Sequence, residues 1–140
     1  MAETTTHEAR TRLLLPDGAL SEATICYSTR PPWEVSLRAP YLEGRTFRGT
    51  DLFAALQSLR GELEGLGIII CCNGARKDAW PSSMSRDMHG AQRLYVLRKG
   101  EPGDLQSLVE IFDDASLDVV ATVREQREFY DAWVDSMRKR

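Results

Sequence analysis

The chain has 140 residues, with 18 Lys and Arg against 21 Asp and Glu and a formal charge of −3, which is length for one domain with its own core and too little for two. That acidic balance excludes generic attraction to nucleic acid or to an anionic membrane, because the long-range field repels phosphate unless a local basic patch offsets it. The three cysteines, Cys26, Cys71 and Cys72, are odd in number, and the adjacent pair faces opposite ways on a strand, so a disulfide framework is not expected and a reducing cytoplasm is.

Residues 1–10 are Thr-rich and charged and are read as a disordered tail, without the apolar segment of a secretory signal or an anchor; residues 11–140 are read as a single domain. Nothing in the chain approaches the ~20 apolar residues that cross a bilayer. Leu13-Leu14-Leu15, the turn signal Pro16-Asp17-Gly18 and the β-prone run Ala23 to Tyr27 predict a hairpin or meander. After the break Thr29-Arg30-Pro31-Pro32, alternation is clean: Trp33, Val35 and Leu37 share one face, and Glu34, Ser36 and Arg38 the wet one. A short strand is expected around Thr46-Phe47-Arg48.

Gly49 or Thr50 then caps a predicted helix whose apolar positions Leu52, Phe53, Leu56, Leu59, Leu63 and Leu66 recur at three and four, with Gly67 placed for a left-handed C-cap. The five apolar residues Ile68 to Cys72 are too few for a helix and are rich in β-branched side chains, so they predict the central strand, buried on both faces. Asn73-Gly74 ends that run with residue types that accept positive φ, predicting an exposed turn followed at once by Arg76 and Lys77.

The polar stretch from Asp78 to Gly90 is given at most a helical turn or two, and Arg93 to Lys99 reads as a strand closed by Gly100-Glu101-Pro102-Gly103. Asp104 to Phe112 reads as a helical turn leading into a short strand. The last helix opens on a Thr122/Glu125 capping box and presents Val123, Gln126, Phe129, Tyr130, Trp133, Val134 and Met137 as a packing face, while Arg138-Lys139-Arg140 complements its dipole. The expected architecture is α+β: a mixed, mainly antiparallel sheet of five or six strands with two main helices packed on one face.

Several constellations carry possible chemistry. Cys72 with His89 has the residue types of a thiolate nucleophile and its base, but no catalytic signature surrounds them, and a cysteine inside an Ile-rich strand is ordinarily a small core hydrophobe. No C-x-x-C or H-x-x-x-H spacing points to a metal, and Asp113-Asp114 lacks the loop of a calcium site. Asn73 to Lys77 has the makings of a nest for a phosphate or carboxylate, without a phosphate-loop pattern to make it specific. Trp80, Met84, Met88 and Tyr95 are residue types favoured in interface cores, and equally suited to plugging a loop onto the sheet.

Charge is unevenly placed: Gly74 to Lys99 holds Arg76, Lys77, Arg86, Arg93, Arg98 and Lys99 against Asp78 and Asp87. Glu101 to Ala121 holds Glu101, Asp104, Glu110, Asp113, Asp114 and Asp118 with no Lys or Arg. The pattern fits either a solvated surface or a bipolar recognition face that meets a basic partner.

The run Cys72-Asn73-Gly74-Ala75-Arg76, then Pro81-Ser82-Ser83-Met84, Met88, Gly90, Tyr95-Val96-Leu97 and Thr122 to Gln126 with Trp133, resembles a family of small bacterial immunity proteins encoded beside polymorphic toxins of the Rhs, type VI and contact-dependent kinds. The likeness covers about Leu66 to Trp133. It implies a stoichiometric inhibitor that binds and blocks a cognate toxin protein, with no catalytic residues, metal or cofactor. The candidate contacts are Asp113, Asp114, Asp118, Arg76, Lys77 and Trp80. The alternative is a small-ligand enzyme or sensor using the Asn73 to Lys77 turn, for which a deep pocket lined by Cys72 or His89 is the discriminating feature.

Overall fold

The computed structural model describes residues 6–138, and its first element follows from alternation. β1 (Thr6–Leu14) and β2 (Leu20–Ser28) pair as an antiparallel hairpin that turns Thr11, Leu13, Ala23 and Ile25 inward. Gly18, at φ +86°, donates to Leu15 O, and Asp17 Oδ1 accepts from Ala19 N, closing the expected turn. The hairpin is longer than composition indicates. Thr6 to Arg10 pair with Ser28 to Thr24, so residues 6–10 are strand and not tail, and residues 1–5 lie outside the described residues.

β3 (Trp33–Arg38) and β4 (Thr46–Gly49) extend the sheet on one side and β5 (Ile69–Ile70) on the other, in the order β4-β3-β2-β1-β5, with every pairing antiparallel. Val35 and Leu37 are buried as their alternation requires. α1 (Leu52–Glu64) crosses the inner face from β4 to β5, burying Leu52, Phe53, Leu56, Leu59 and Leu63 completely. Its N-cap is Asp51, in place of Gly49 or Thr50: Asp51 Oδ1 accepts from Ala54 N at 2.7 Å. At the other end Gly67 adopts φ +77° and donates to Glu64 O, while Ile68 N donates to Leu63 O, the paired bonds of a Schellman cap.

The run Ile68 to Cys72 is a scaffold strand, but an edge one. It holds the ladder for two residues, Leu13↔Ile70 and Leu14↔Ile69, and Ile69 is only half-buried. Its burial comes from α1 and β1, with Cys71 N donating to Arg12 O, and from cover by later chain on the other side, where Ala115 N donates to Cys71 O. That cover lies far along the sequence, where periodicity does not register it.

The five-stranded sheet bears out the expected α+β fold with a mainly antiparallel sheet of five or six strands, and the remaining strands form a second, smaller antiparallel sheet. β6 (Ala79–Trp80), β7 (Arg93–Val96) and β8 (Leu108–Glu110) lie in that order, with α2 (Ser83–His89) between β6 and β7 and a 3-10 turn, Leu105–Ser107, leading into β8. α3 (Val123–Arg138) rests on α1 and β6. Thr122 Oγ1 accepts from Glu125 N at 3.1 Å and Glu125 Oε1 accepts from Thr122 N at 3.0 Å, completing the predicted capping box. Lys139 and Arg140 of the basic tail lie outside the described residues. Among the described residues no helix is long and apolar enough to cross a membrane.

Candidate functional site

The two sheets are joined at Asn73–Ala75, a single 3-10 turn with all three residues buried. Gly74 does not use its freedom of φ; it is glycine because a Cβ there overlaps Leu56 Cδ2 and Ile111 Cγ1. The N–H groups that an anion nest requires are all engaged. Asn73 N donates to Asp113 O, Gly74 N to Ile111 O, Ala75 N to Cys72 O, Arg76 N to Asn73 O and Lys77 N to Val119 O. Asn73 Nδ2 donates to Glu110 O at 3.0 Å. The expected exposed turn is therefore a buried splice, and it presents no free backbone N–H to a phosphate or carboxylate.

Behind the splice lies a group that periodicity places on the apolar face of α1. Arg60 is 2% exposed and donates to Gly74 O at 3.1 Å, Gln126 Oε1 at 2.6 Å and Ala121 O at 2.9 Å. Gln126, itself fully buried, returns Nε2 to Gly74 O and Arg76 O at 2.9 and 2.8 Å. Burial pushes the Arg60 pKa down from its ordinary value. These two side chains tie α1, the splice and the start of α3 together.

Cys72 is wholly buried beside Arg60, and burial pushes its thiol up to about 11, the guanidinium opposing that shift only in part. A thiol held neutral in a dry core is not a nucleophile at physiological pH. His89 is exposed at the end of α2. A recess of about 470 Å³ lies instead on the face of the five-stranded sheet opposite α1, lined by Arg10, Arg12, Arg38, Glu22 and Asp114 among others. Among the described residues no group of three or more His, Cys, Asp or Glu is placed to hold a metal ion.

The six contact candidates divide sharply. Trp80 is buried, its ring stacked on Tyr130 at 4.2 Å and met edge-on by Phe53 at 5.0 Å, so it is core and not a free contact surface. Arg76 is turned onto Asp78, with Nε–Oδ1 2.8 Å and Nη2–Oδ2 3.0 Å, while Lys77 is exposed and shares a recess with Asp118. The three acids lie on one irregular run between β8 and α3. Asp114 receives Arg12 in a bidentate pair, 3.1 and 3.0 Å, Asp118 accepts from Ser116 Oγ, and no described side chain bonds the Asp113 carboxylate. The charge blocks also meet each other: Arg93 pairs with Glu110 across β7 and β8 at 3.0 Å. Met84 and Met88 stand 70% and 69% exposed on α2 and plug nothing.

The run that carries these acids is rigid because its backbone is sewn to the splice. Asp113 O accepts from Asn73 N, Val119 O from Lys77 N and Ala75 O from Ala121 N. Sequence reading missed Tyr27, which packs at 4.5 Å on Phe112 and lines a small recess with Glu110 and Asp113. Nothing in a strand pattern distinguishes that tyrosine from its neighbours. A scan of the chain against protein-family models and a search of curated proteins both find no match.

Proposed function

We propose that this chain is a non-enzymatic, cytoplasmic binding protein that neutralises a cognate bacterial toxin by occluding its active cleft, as the likeness of its Leu66 to Trp133 stretch to immunity proteins implies. The observation that carries the reading is the acidic run Glu110 to Asp118, displayed at the surface and held in place by backbone bonds to the buried splice. An inhibitor needs this combination of exposed charge on a frame that does not have to be ordered on binding. The alternative, a phosphate or carboxylate site at Asn73 to Lys77, is disfavoured because every N–H along that turn already has an intramolecular acceptor.

The test is co-expression with the C-terminal domain of the toxin encoded beside this gene. The reading expects restored growth and a 1:1 complex on gel filtration. Undiminished toxicity with the chain folded and abundant overturns it, as does the absence of any toxin gene next to it.

A further inference from the structure

Where the two sheets meet, β1 and β2 are covered not by α1 but by the chain leaving β8, and the cover is incomplete. A recess of about 200 Å³ opens there, lined by Ala9, Tyr27, Gln92, Glu110, Ile111, Phe112 and Asp113. Its aromatic wall is Tyr27, tilted against Phe112 at 4.5 Å, and His7, outside the recess, meets Tyr27 at 5.8 Å. Its polar edge is anionic. Asp113 is exposed and bonded by no described side chain, and Glu110 is held only by Arg93, in an ion pair open to solvent with 65% and 51% of the two side chains exposed. Such a solvent-open pair is weak, and it engages only Oε1 of Glu110. Burial, Glu110 and Asp113, in that order, raise the Tyr27 pKa, so both carboxylates are close enough for the phenol to feel them.

The walls are fixed. Gln92 O accepts from Ile111 N, Ile111 O from Gly74 N and Asp113 O from Asn73 N, so every segment bordering the recess is anchored to a neighbour. A volume near 200 Å³ is below the ~300–1,000 Å³ of ordinary small-molecule sites, and is the scale of one long side chain. An aromatic wall beside two carboxylates is the chemistry that recognises a planar cation, which stacks on the ring and is bonded by the acid at its edge.

We propose that this recess takes a single arginine side chain of a protein partner, its guanidinium stacked on Tyr27 and bonded by Asp113 and Glu110. The proposal rests on the reading of the chain as a partner-binding protein and names the contact at the centre of that surface. A buried arginine anchor ringed by polar contacts is a common form of interface hot spot.

The probe is Nα-acetyl-arginine methylamide, titrated into the full chain by NMR, with the corresponding lysine and norleucine compounds as comparisons. The arginine compound is expected to shift the Tyr27 ring and the Asp113 and Glu110 signals saturably. Asp113→Asn and Glu110→Gln, both isosteric, should each weaken it about tenfold, and Glu43→Gln, exposed and outside both the recess and the acidic run, should leave it unchanged. Linear, unsaturated shifts overturn the proposal, as do equal binding of norleucine or lysine and unchanged affinity in Asp113→Asn. This result separates from the parent reading: protection against the toxin with no arginine site overturns the recess alone, and an arginine site without protection overturns the toxin reading while the recess stands.

Discussion

Arg60 is the largest side chain that the fold withdraws from water, and no carboxylate bonds it; its three acceptors are Gly74 O, Ala121 O and Gln126 Oε1. Removing a neutral acceptor from a buried cation leaves the cation under-solvated, whereas removing the cation removes the charge and leaves only neutral acceptors short of a donor. Gln126→Leu is therefore expected to cost about 3 kcal/mol, because Arg60 loses its shortest bond and the carbonyls of Gly74 and Arg76 lose Nε2 together. Arg60→Met should cost less, since no buried charge remains and Gly74 O keeps the Gln126 donor, although Ala121 O and the buried Gln126 Oε1 both lose theirs. Urea midpoints at constant m-value give the order, and the reverse ranking would show that the guanidinium, and not the amide, organises this junction. Cys72 makes a second test at the same place. Its native thiol titrates at about 11 against an ordinary 9.0, so the native state binds more protons than the unfolded chain in between. Stability is thus full below about pH 9 and falls as the pH rises towards 11, with Cys71 and Tyr27, both raised by burial, acting in the same direction. Cys72→Ala should flatten that fall, and urea midpoints that do not decline between pH 8 and 11 would contradict it.

At the scale of elements, one carboxylate carries two junctions. Asp51 caps α1 through Oδ1 and receives Arg86 of α2 on Oδ2 at 2.9 Å, and Arg86 lies over the rings of Phe53 at 5.3 Å and Trp80 at 6.0 Å. Asp51 is 2% exposed, so its loss removes a cap and strands a partly buried cation. Asp51→Ala is expected to cost about 3 kcal/mol and Asp51→Asn, which still caps, about 1 kcal/mol; thermal melts read by circular dichroism measure the gap between them. The same residue shows what was legible in the sequence. The apolar repeat of α1, the turn at Gly18, the alternation of β3 and the Thr122/Glu125 box are each written within a few neighbouring positions, and each appears where its pattern predicts. The cap is Asp51 and not the expected Gly49 or Thr50; its bond to Ala54 N is local, but the Arg86 pair on its second oxygen is made by another element. Asn73-Gly74 misled for a like reason. Read locally it is an exposed turn, but the acceptor of Asn73 Nδ2 stands 37 residues on, at Glu110, and only the folded chain brings it there. The candidate site divides along the same line: charge patterning names three acids, which lie exposed on one run, while Trp80 is in the core and Tyr27 carries no signal in its strand pattern.

At the scale of the whole molecule the acidic and basic blocks neither repel nor simply face outward; they partly cancel. Arg12 answers Asp114 and Arg93 answers Glu110 across long stretches of chain, leaving Asp113 and Asp118 as exposed acids in no ion pair among the described residues, with Lys77 lining the recess next to Asp118. With a net charge of −3, other exposed acids, Glu22, Glu43, Asp87 and Asp104 among them, are spread over the surface, but Asp113 and Asp118 share one backbone-anchored rim where their fields add. Such a field acts before contact: it orients a basic partner and speeds encounter, and it acts little on dissociation once the rim is in place. Asp113→Lys with Asp118→Lys should therefore lower the association rate with the cognate toxin domain by tenfold or more at low ionic strength. The difference from the native chain should shrink as salt approaches ~1 M, where the screening length falls to about 3 Å. Stopped-flow association at several salt concentrations reads both effects, with dissociation followed separately by displacement. Equal association rates for the two proteins at low salt would remove steering as the role of this rim, and a change confined to dissociation would place the two acids inside the contact itself.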